Sequence, residues 1–278
     1  MPKVGDSARP ATSGGLDGLS ALVTGGGSGI GLRSARRLAA DGASVTICGR
    51  TEDKLAAALE VIRADAAAGT TQHFVVADVT VEDQVAAAVA RAGEPTGHLD
   101  IVFACAGGSF HLGPLVNADV DAVRATVDLN LIGSFLCVKH AALSMSAEGR
   151  GGAIVLMSSG AGHFPHRWLT AYGMAKAGIE ALCGYAAEEL GELGIRVNAV
   201  QPGIIDDELM AMVTAGGPLL DDYVAQMPLG RIGTLDDVAA AVRFLAGPES
   251  SWITGECVAV DGGHHLRRGA DYSLLDGG

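Results

Sequence analysis

Residues 19–42 read LSALVTGGGSGIGLRSARRLAADG. Leu19–Thr24 is a short apolar run that stops at glycines, the pattern of a buried strand. After the glycines, Ile30, Ala35, Leu38 and Ala39 fall at helical spacing, and Gly42 ends that pattern. A glycine-rich loop, Gly25 to Gly31, therefore joins a strand to a helix. In this setting a glycine motif points to a dinucleotide. Gly25 permits the tight turn, Gly29 lets the backbone approach a pyrophosphate, and Gly31 allows the helix to pack closely on the strand. Ser28 and Ile30 complete the loop, where a helix N-terminus offers N–H groups and partial positive charge to phosphates. An ordinary flexible turn is the alternative for a glycine triplet taken alone.

The same rhythm repeats along the chain. Further strands are expected at Ser44–Cys48, His73–Ala77, Leu99–Cys105, Ala153–Met157, Ile195–Val200 and Glu256–Val260. Helices are expected from Thr51 to about Ala68, over Val81–Ala92, Val120–Ala147 and Ala171–Leu190, and from a Thr234 cap to Leu245. Asp206–Met227 reads as irregular. This alternation, with no linker or composition break, predicts an α/β fold: a single-domain, doubly wound parallel sheet, Rossmann-like, with about seven strands and helices on both faces. Residues 17–264 form that domain, 1–16 a flexible leader and 265–278 a polar tail. Ligands bind such sheets outside the carboxyl ends of the strands. The candidate residues all follow strands, so they converge on one rim.

At the end of the second strand, an NAD site would place a carboxylate for the ribose hydroxyls. Here Gly49 and Arg50 stand instead, followed by Thr51. A guanidinium pairs with a 2′-phosphate in bidentate fashion, which favours NADP, with NAD possible. A solvated loop arginine is the alternative. After the fifth strand comes SGAGHFPHRWLTAYGMAK, Ser159 to Lys176. On a helix, Tyr172 and Lys176 at i and i+4 share a face. A nearby ammonium lowers a phenol's pKa, and a phenol so tuned exchanges protons near neutral pH. Taken alone, the pair could equally be a chance feature of a surface helix.

The formal net charge is −13 and no basic stripe is present, which argues against nucleic acid or an anionic membrane as partner. No apolar run is long enough to span a bilayer, and the N-terminus lacks the apolar segment of a signal peptide. The five cysteines are scattered and show no metal-ligand spacing. They read as small buried hydrophobes in a reducing, cytoplasmic setting, with no metal site.

Together, TGGGSGIG at Thr24–Gly31, Asp78-Val79, Asn130, Ser159, Tyr172-x-x-x-Lys176, Pro202-Gly203 and VDGG at Val260–Gly263 resemble the short-chain dehydrogenase/reductase family. The likeness runs from about Leu19 to Gly263, and the spacing of Ser159 to Tyr172 also matches. It implies hydride transfer between a nicotinamide cofactor and a carbonyl or secondary alcohol. In that implied mechanism Ser159 holds the substrate oxygen and Tyr172 is the general acid or base. Lys176 binds the nicotinamide ribose and lowers the tyrosine pKa, while Asn130 holds a water of a proton relay. Asp78 and the Val79 backbone contact adenine. Ala106 and Gly107 floor the cofactor, and Pro202, Gly203 and Ile205 line the nicotinamide. The spacing selects Ser159 over Ser158.

Three departures stand out. Ala104-Cys105-Ala106-Gly107 lacks the asparagine with which the family braces its strands, so a looser cofactor floor is expected. Asp207 stands near the family's carboxamide-binding threonine. Ser28 occupies a loop position that is often basic in NADP-binding members. A lid at about residues 206–230, with Leu209, Met210, Leu219, Tyr223 and Met227, suits a small, partly apolar substrate. Lid packing or an oligomer contact explains the same residues. His163, His166 and Arg167 form a solvated loop face or meet an acidic carrier. A 3-oxoacyl-carrier-protein reductase and a non-catalytic dinucleotide sensor or scaffold remain as alternatives. A homo-oligomer, tetramer or dimer, is expected through Asn130–Ala147 and Ala171–Leu190, where Ala141, Ala142, Ala181, Gly184 and Ala187 permit close helix approach.

Overall fold

A computed structural model describes residues 15–147, 149–269 and 272. The expected leader falls largely on residues 1–14 and much of the expected tail on 270–271 and 273–278, outside the described residues. Leu16 is already part of the core, and its N–H bonds the Asp41 carbonyl.

Seven strands form one parallel sheet in the order β3-β2-β1-β4-β5-β6-β7. They are β1 (Ser20–Thr24), β2 (Ser44–Gly49), β3 (Gln72–Val76), β4 (Ile101–Ala104), β5 (Gly152–Met157), β6 (Ile195–Pro202) and β7 (Cys257–Val260). The order reverses beside β1, where Leu22 pairs with Thr46 on one side and Val102 on the other. Alternate side chains enter opposite cores, as the strand's two-residue period requires. Leu22, Val102, Ala104, Ile154 and Leu156 face one core, which they share with α3 (Glu82–Gly93), α5 (Gly133–Ala147) and α7 (Thr170–Leu190). Ala21, Val23, Ile101, Phe103 and Val155 face the other, packed on α1 (Gly29–Ala40), α2 (Glu52–Asp65) and α10 (Leu235–Ala246). Burial on both faces explains why the strands read as continuous apolar runs.

The long helical tract is not one helix. α4 (Val120–Val127) gives way to a π-turn at Asp128–Ile132 before α5 begins. The expected irregular lid is helical, with a 3₁₀ turn at Glu208–Met210, α8 (Ala211–Thr214) and α9 (Pro218–Gln226). Gly216 and Gly217, at φ of 117° and 103°, break the chain between them, and Pro218 starts α9 at a position where its missing N–H costs nothing. These pieces are too short to show a helical period. α6 (Gly160–His163) was not foreseen either. Thr234 caps α10 in a full capping box with Asp237, whereas Thr51 occupies the cap position of α2 without a side-chain bond. α2 ends at Asp65 because Ala66 is extended.

Of the small residues expected on the oligomer face, Ala141 and Ala187 are buried within the monomer core. Ala181 and Gly184 are exposed, and the exposed faces of these helices also carry Phe135, Leu143, Met174 and Tyr185.

Candidate active site

The loop after β1 meets the demands of its sequence. Gly25 and Gly29 have φ of 66° and 51°, where a side chain is strained. A Cβ on Gly31 would collide with the Gly25 carbonyl oxygen. Ser28 is the N-cap of α1, its hydroxyl makes no capping bond, and the first turn contains no acidic residue. The first N–H groups of α1, beginning with Gly29 and Ile30, have no intrahelical partner and face the rim. This cradle fits a pyrophosphate. One feature opposes it: Asp207 Oδ2 lies 3.2 Å from the position of a Cβ on Gly29, so a carboxylate overhangs the loop. Asp207 caps the 3₁₀ turn of the lid through Met210 N–H at 2.9 Å.

Beyond β2, Arg50 is exposed and has no hydrogen bond or ion pair among the described residues. A Cβ on Gly49 would meet only Leu55, at 3.5 Å, so the strand end has room for a ribose substituent. Lys54, which the sequence reading passed over, sits one turn into α2 with its Cβ 3.6 Å from a Cβ built on Gly27. Its position three residues after the Thr51 cap was the available signal. Asp78 Oδ1 accepts from Thr80 N–H at 2.9 Å and from its hydroxyl at 2.8 Å. Val79 is buried against Gly133, where a Cβ would come within 2.8 Å of Val79 Cγ2. Its side chain is thus spent on packing.

The floor is braced. Thr24 Oγ1 accepts from both Cys105 N–H at 3.0 Å and Ala106 N–H at 3.1 Å, tying the end of β1 to the chain leaving β4. A hydroxyl on β1 thus holds the backbone at the Ala104-Cys105-Ala106-Gly107 departure. Burial pushes the Cys105 thiol up to about 12, so it stays neutral.

Ser159, Tyr172 and Lys176 come together because α6 lies tightly on α7. A Cβ on Gly162 would come within 2.8 Å of the Lys176 carbonyl carbon, and one on Gly173 within 2.9 Å of Ala161 O. These glycines were missed as site determinants, although Gly173 stands inside the Tyr-x-x-x-Lys motif. Ser159 caps α6, its Oγ accepting from Ala161 N–H at 3.3 Å. Ser158 donates to Glu180 Oε1 at 2.8 Å and is buried, so its hydroxyl is committed to α7. Lys176 is almost wholly buried, and its Nζ donates to Met157 O at 2.7 Å. Burial lowers its pKa to about 8.

Tyr172 differs from the expectation. Burial pushes its pKa up to about 12, the Ser159 hydroxyl pulls it down in part, and Tyr272, Cys105 and Asp207 add to the rise. Lys176 Nζ stands over the ring, 5.3 Å from its centroid, and its hydrogen bond goes to β5. Removal from water is the largest influence on the phenol, although Tyr172 keeps some exposed surface, and it favours the neutral form, a proton donor.

Asn130 lies in the π-turn and is fully buried. Its Nδ2 donates to Thr126 O and Gly108 O, both at 2.7 Å, while its Oδ1 accepts from Gly108 N–H at 3.3 Å. A Cβ on Gly107 would stand 2.6 Å from Asn130 Oδ1 and 3.3 Å from Lys176 Nζ, so Gly107 threads between them. At the end of β6, Gly203 abuts Asp261, whose Cα would be 3.0 Å from an added Cβ. Ile205 is buried and bridges to Gly233. Trp168, in the loop before α7, has φ of 72°, and its carbonyl accepts from Gly113 N–H. His166 is half-buried against Phe164 and His264 rather than forming a solvated face. Among the described residues no cluster of His, Cys, Asp and Glu is placed to hold a metal, and no helix is long and apolar enough to cross a membrane.

This rim, with a glycine cradle on one side and a Ser–Tyr–Lys group on the other, has close counterparts. The family model described as enoyl-(acyl carrier protein) reductase matches residues 25–265. Cis-4-hydroxycyclohexanecarboxylate dehydrogenase from Sinomonas cyclohexanicum is 42% identical, over 88% of this chain and 95% of its own. The 3-oxoacyl-[acyl-carrier-protein] reductase of Chlamydia muridarum is 34% identical, over 88% of this chain and 96% of its own. A solved short-chain type dehydrogenase/reductase from Mycobacterium ulcerans superposes with a TM-score of 0.92 at 43% identity, covering 94% of each chain. The chain belongs to the short-chain dehydrogenase/reductase family. It is an NAD(P)-dependent oxidoreductase.

Proposed function

We propose that this enzyme interconverts a secondary alcohol and a ketone on a small alicyclic molecule, with NADP preferred and Tyr172 as acid or base. The observation that carries the reading is the seating of α6 on α7, which places the Ser159 hydroxyl beside Tyr172 and Lys176. When bound, the nicotinamide cofactor supplies or accepts the hydride. Gly25, Ser28, Gly29, Ile30 and Gly31 would hold its pyrophosphate, Asp78 and Val79 the adenine, and Pro202, Gly203 and Ile205 the nicotinamide. Ala106 and Gly107 form the floor.

The chain's own residues do the rest. Ser159 Oγ donates to the substrate oxygen and fixes it against Tyr172. The phenol, neutral across the physiological range, gives its proton to that oxygen in reduction. In oxidation the deprotonated oxygen of Tyr172 takes the proton from the alcohol, so that direction gains from higher pH, which supplies the phenolate. Lys176, held by Met157 O, keeps a donor beside the phenol, and Asn130 braces the Gly107–Gly108 turn against which Lys176 lies.

Arg50, unengaged, and Thr51, whose hydroxyl makes no cap bond, support the NADP preference, with Lys54 as a further cation. Two relatives named for ring alcohols support the substrate class: the hydroxycyclohexanecarboxylate dehydrogenase, and a 2,5-dichloro-2,5-cyclohexadiene-1,4-diol dehydrogenase at 32% identity. The acidic net charge of −13 weighs against an acidic acyl carrier. A cytoplasmic homo-oligomer built on the exposed apolar face of α5 and α7 completes the proposal. Turnover of NADPH and NADH with cyclohexanone, ring-substituted ketones and acetoacetyl thioesters tests it. Ring ketones reduced with NADPH are expected. Turnover of thioesters alone would favour the carrier-linked reductase, and cofactor binding without any turnover would favour a sensor.

A further inference from the structure

Tyr272 returns from the end of the chain to pack on the lid. Its hydroxyl lies 2.8 Å from that of Tyr223 on α9, with the rings edge to face. Both residues are buried, at 6% and 3% exposure. Two phenols bring two O–H hydrogens, and the bond between them uses one. The second has no acceptor among the described residues, an arrangement that is costly in a buried setting. Tyr223 packs edge to face on His264, His264 on Phe164, and Phe164 lies against Gly160, the residue after Ser159, so the pair stands on the Ser159 side of the rim.

The surroundings define the chemistry of what this hydrogen meets. Phe164, His166 and His264 pack ring to ring around Tyr223. Phe164 reaches back to Gly160, the residue after Ser159, at 3.4 Å from the position of a Cβ there. Burial lowers the pKa of both imidazoles, so neither is a cation at neutral pH. The Asp222 carboxylate is ion-paired with Arg268. The wall is aromatic, uncharged and has one donor to give.

We propose that the Tyr223–Tyr272 hydroxyl pair recognises the substrate by donating a hydrogen bond to a second, uncharged oxygen, a ring ketone or hydroxyl remote from the reacting carbon. The inference rests on the assignment of Ser159 and Tyr172 as the reacting site. Either phenol alone retains a donor, so the deciding protein is the full chain carrying both Tyr223→Phe and Tyr272→Phe. Cyclohexanone and 1,4-cyclohexanedione are the probes, with 4-oxocyclohexanecarboxylate as the charged comparison. In the double variant, the ratio of kcat/KM for the dione to that for cyclohexanone should fall by about five- to tenfold, carried by KM. Each single variant should fall by less, which keeps the test open if the double variant does not fold. An unchanged ratio overturns the proposal, as does an equal loss on both ketones, which marks a packing role. A loss confined to the carboxylate overturns the uncharged assignment. No turnover of any ketone by the unmodified protein overturns the site reading itself, a result distinct from all of these.

Discussion

Replacing Thr24 by valine keeps the side-chain shape and removes one oxygen. That oxygen accepts two backbone N–H groups, from Cys105 and Ala106, at 3.0 and 3.1 Å. Thr24 is 2% exposed, so water does not replace it freely. A buried donor left without a partner costs about 1–3 kcal/mol. Both bonds are only part-buried, so a total of ~2–4 kcal/mol is expected for the two. For a domain of this size each kcal/mol moves Tm by about 2–4 °C, which gives a fall of roughly 5–15 °C. The floor at Ala106 also lies against Gly25, where an added Cβ would stand 3.0 Å from Ala106 Cα. Cofactor affinity should therefore weaken alongside stability. Thermal unfolding of Thr24→Val and Thr24→Ser separates the causes. Serine keeps the acceptor and should lose about 1 kcal/mol for its methyl. A valine variant within ~2 °C of the parent, or a serine variant as unstable as valine, would refute the brace.

Arg50→Ala should weaken NADPH by roughly ten- to a hundredfold and leave NADH nearly unchanged, as expected for the loss of charge-assisted bonds to a 2′-phosphate; titration calorimetry with both cofactors reads this directly. Lys176 has a folded pKa of about 8 against 10.5 unfolded, so between those values the unfolded chain holds a proton that the folded chain lacks. Stability from this group therefore rises with pH across that window, by up to about 3 kcal/mol, and Lys176→Met should flatten the rise in Tm measured from pH 8 to 10. Light scattering at micromolar concentration should find a dimer or tetramer, and Phe135→Glu with Leu143→Glu should shift it toward monomer.

The sheet was legible because its inner strands, β2, β1, β4, β5 and β6, are buried on both faces, and most strands end at or just before glycine, alanine or serine. Strand ends at Thr24 and Met157 fall at the positions their runs predict, whereas β6 runs on past the expected Val200 to Pro202. The site was legible where a motif carries its own spacing, as in Ser159 to Tyr172 to Lys176. What escaped depends on contacts distant in sequence. Thr24 braces residues 81 and 82 positions away, and nothing local marks its hydroxyl as an acceptor. Tyr272 meets Tyr223 across 49 positions, so the tail read as polar although it completes the lid cluster. The Tyr172 pKa was misjudged because i, i+4 spacing fixes a shared face but not the depth of burial.

Tyr172→Phe tests the central claim most directly. The ring and its packing against Lys176 remain, and only the proton donor is removed. Steady-state ketone reduction by this variant, with cofactor affinity measured in parallel, should show turnover reduced at least a thousandfold and NADPH binding within about threefold of the parent. Turnover near the parent value would contradict the account and remove Tyr172 from the mechanism.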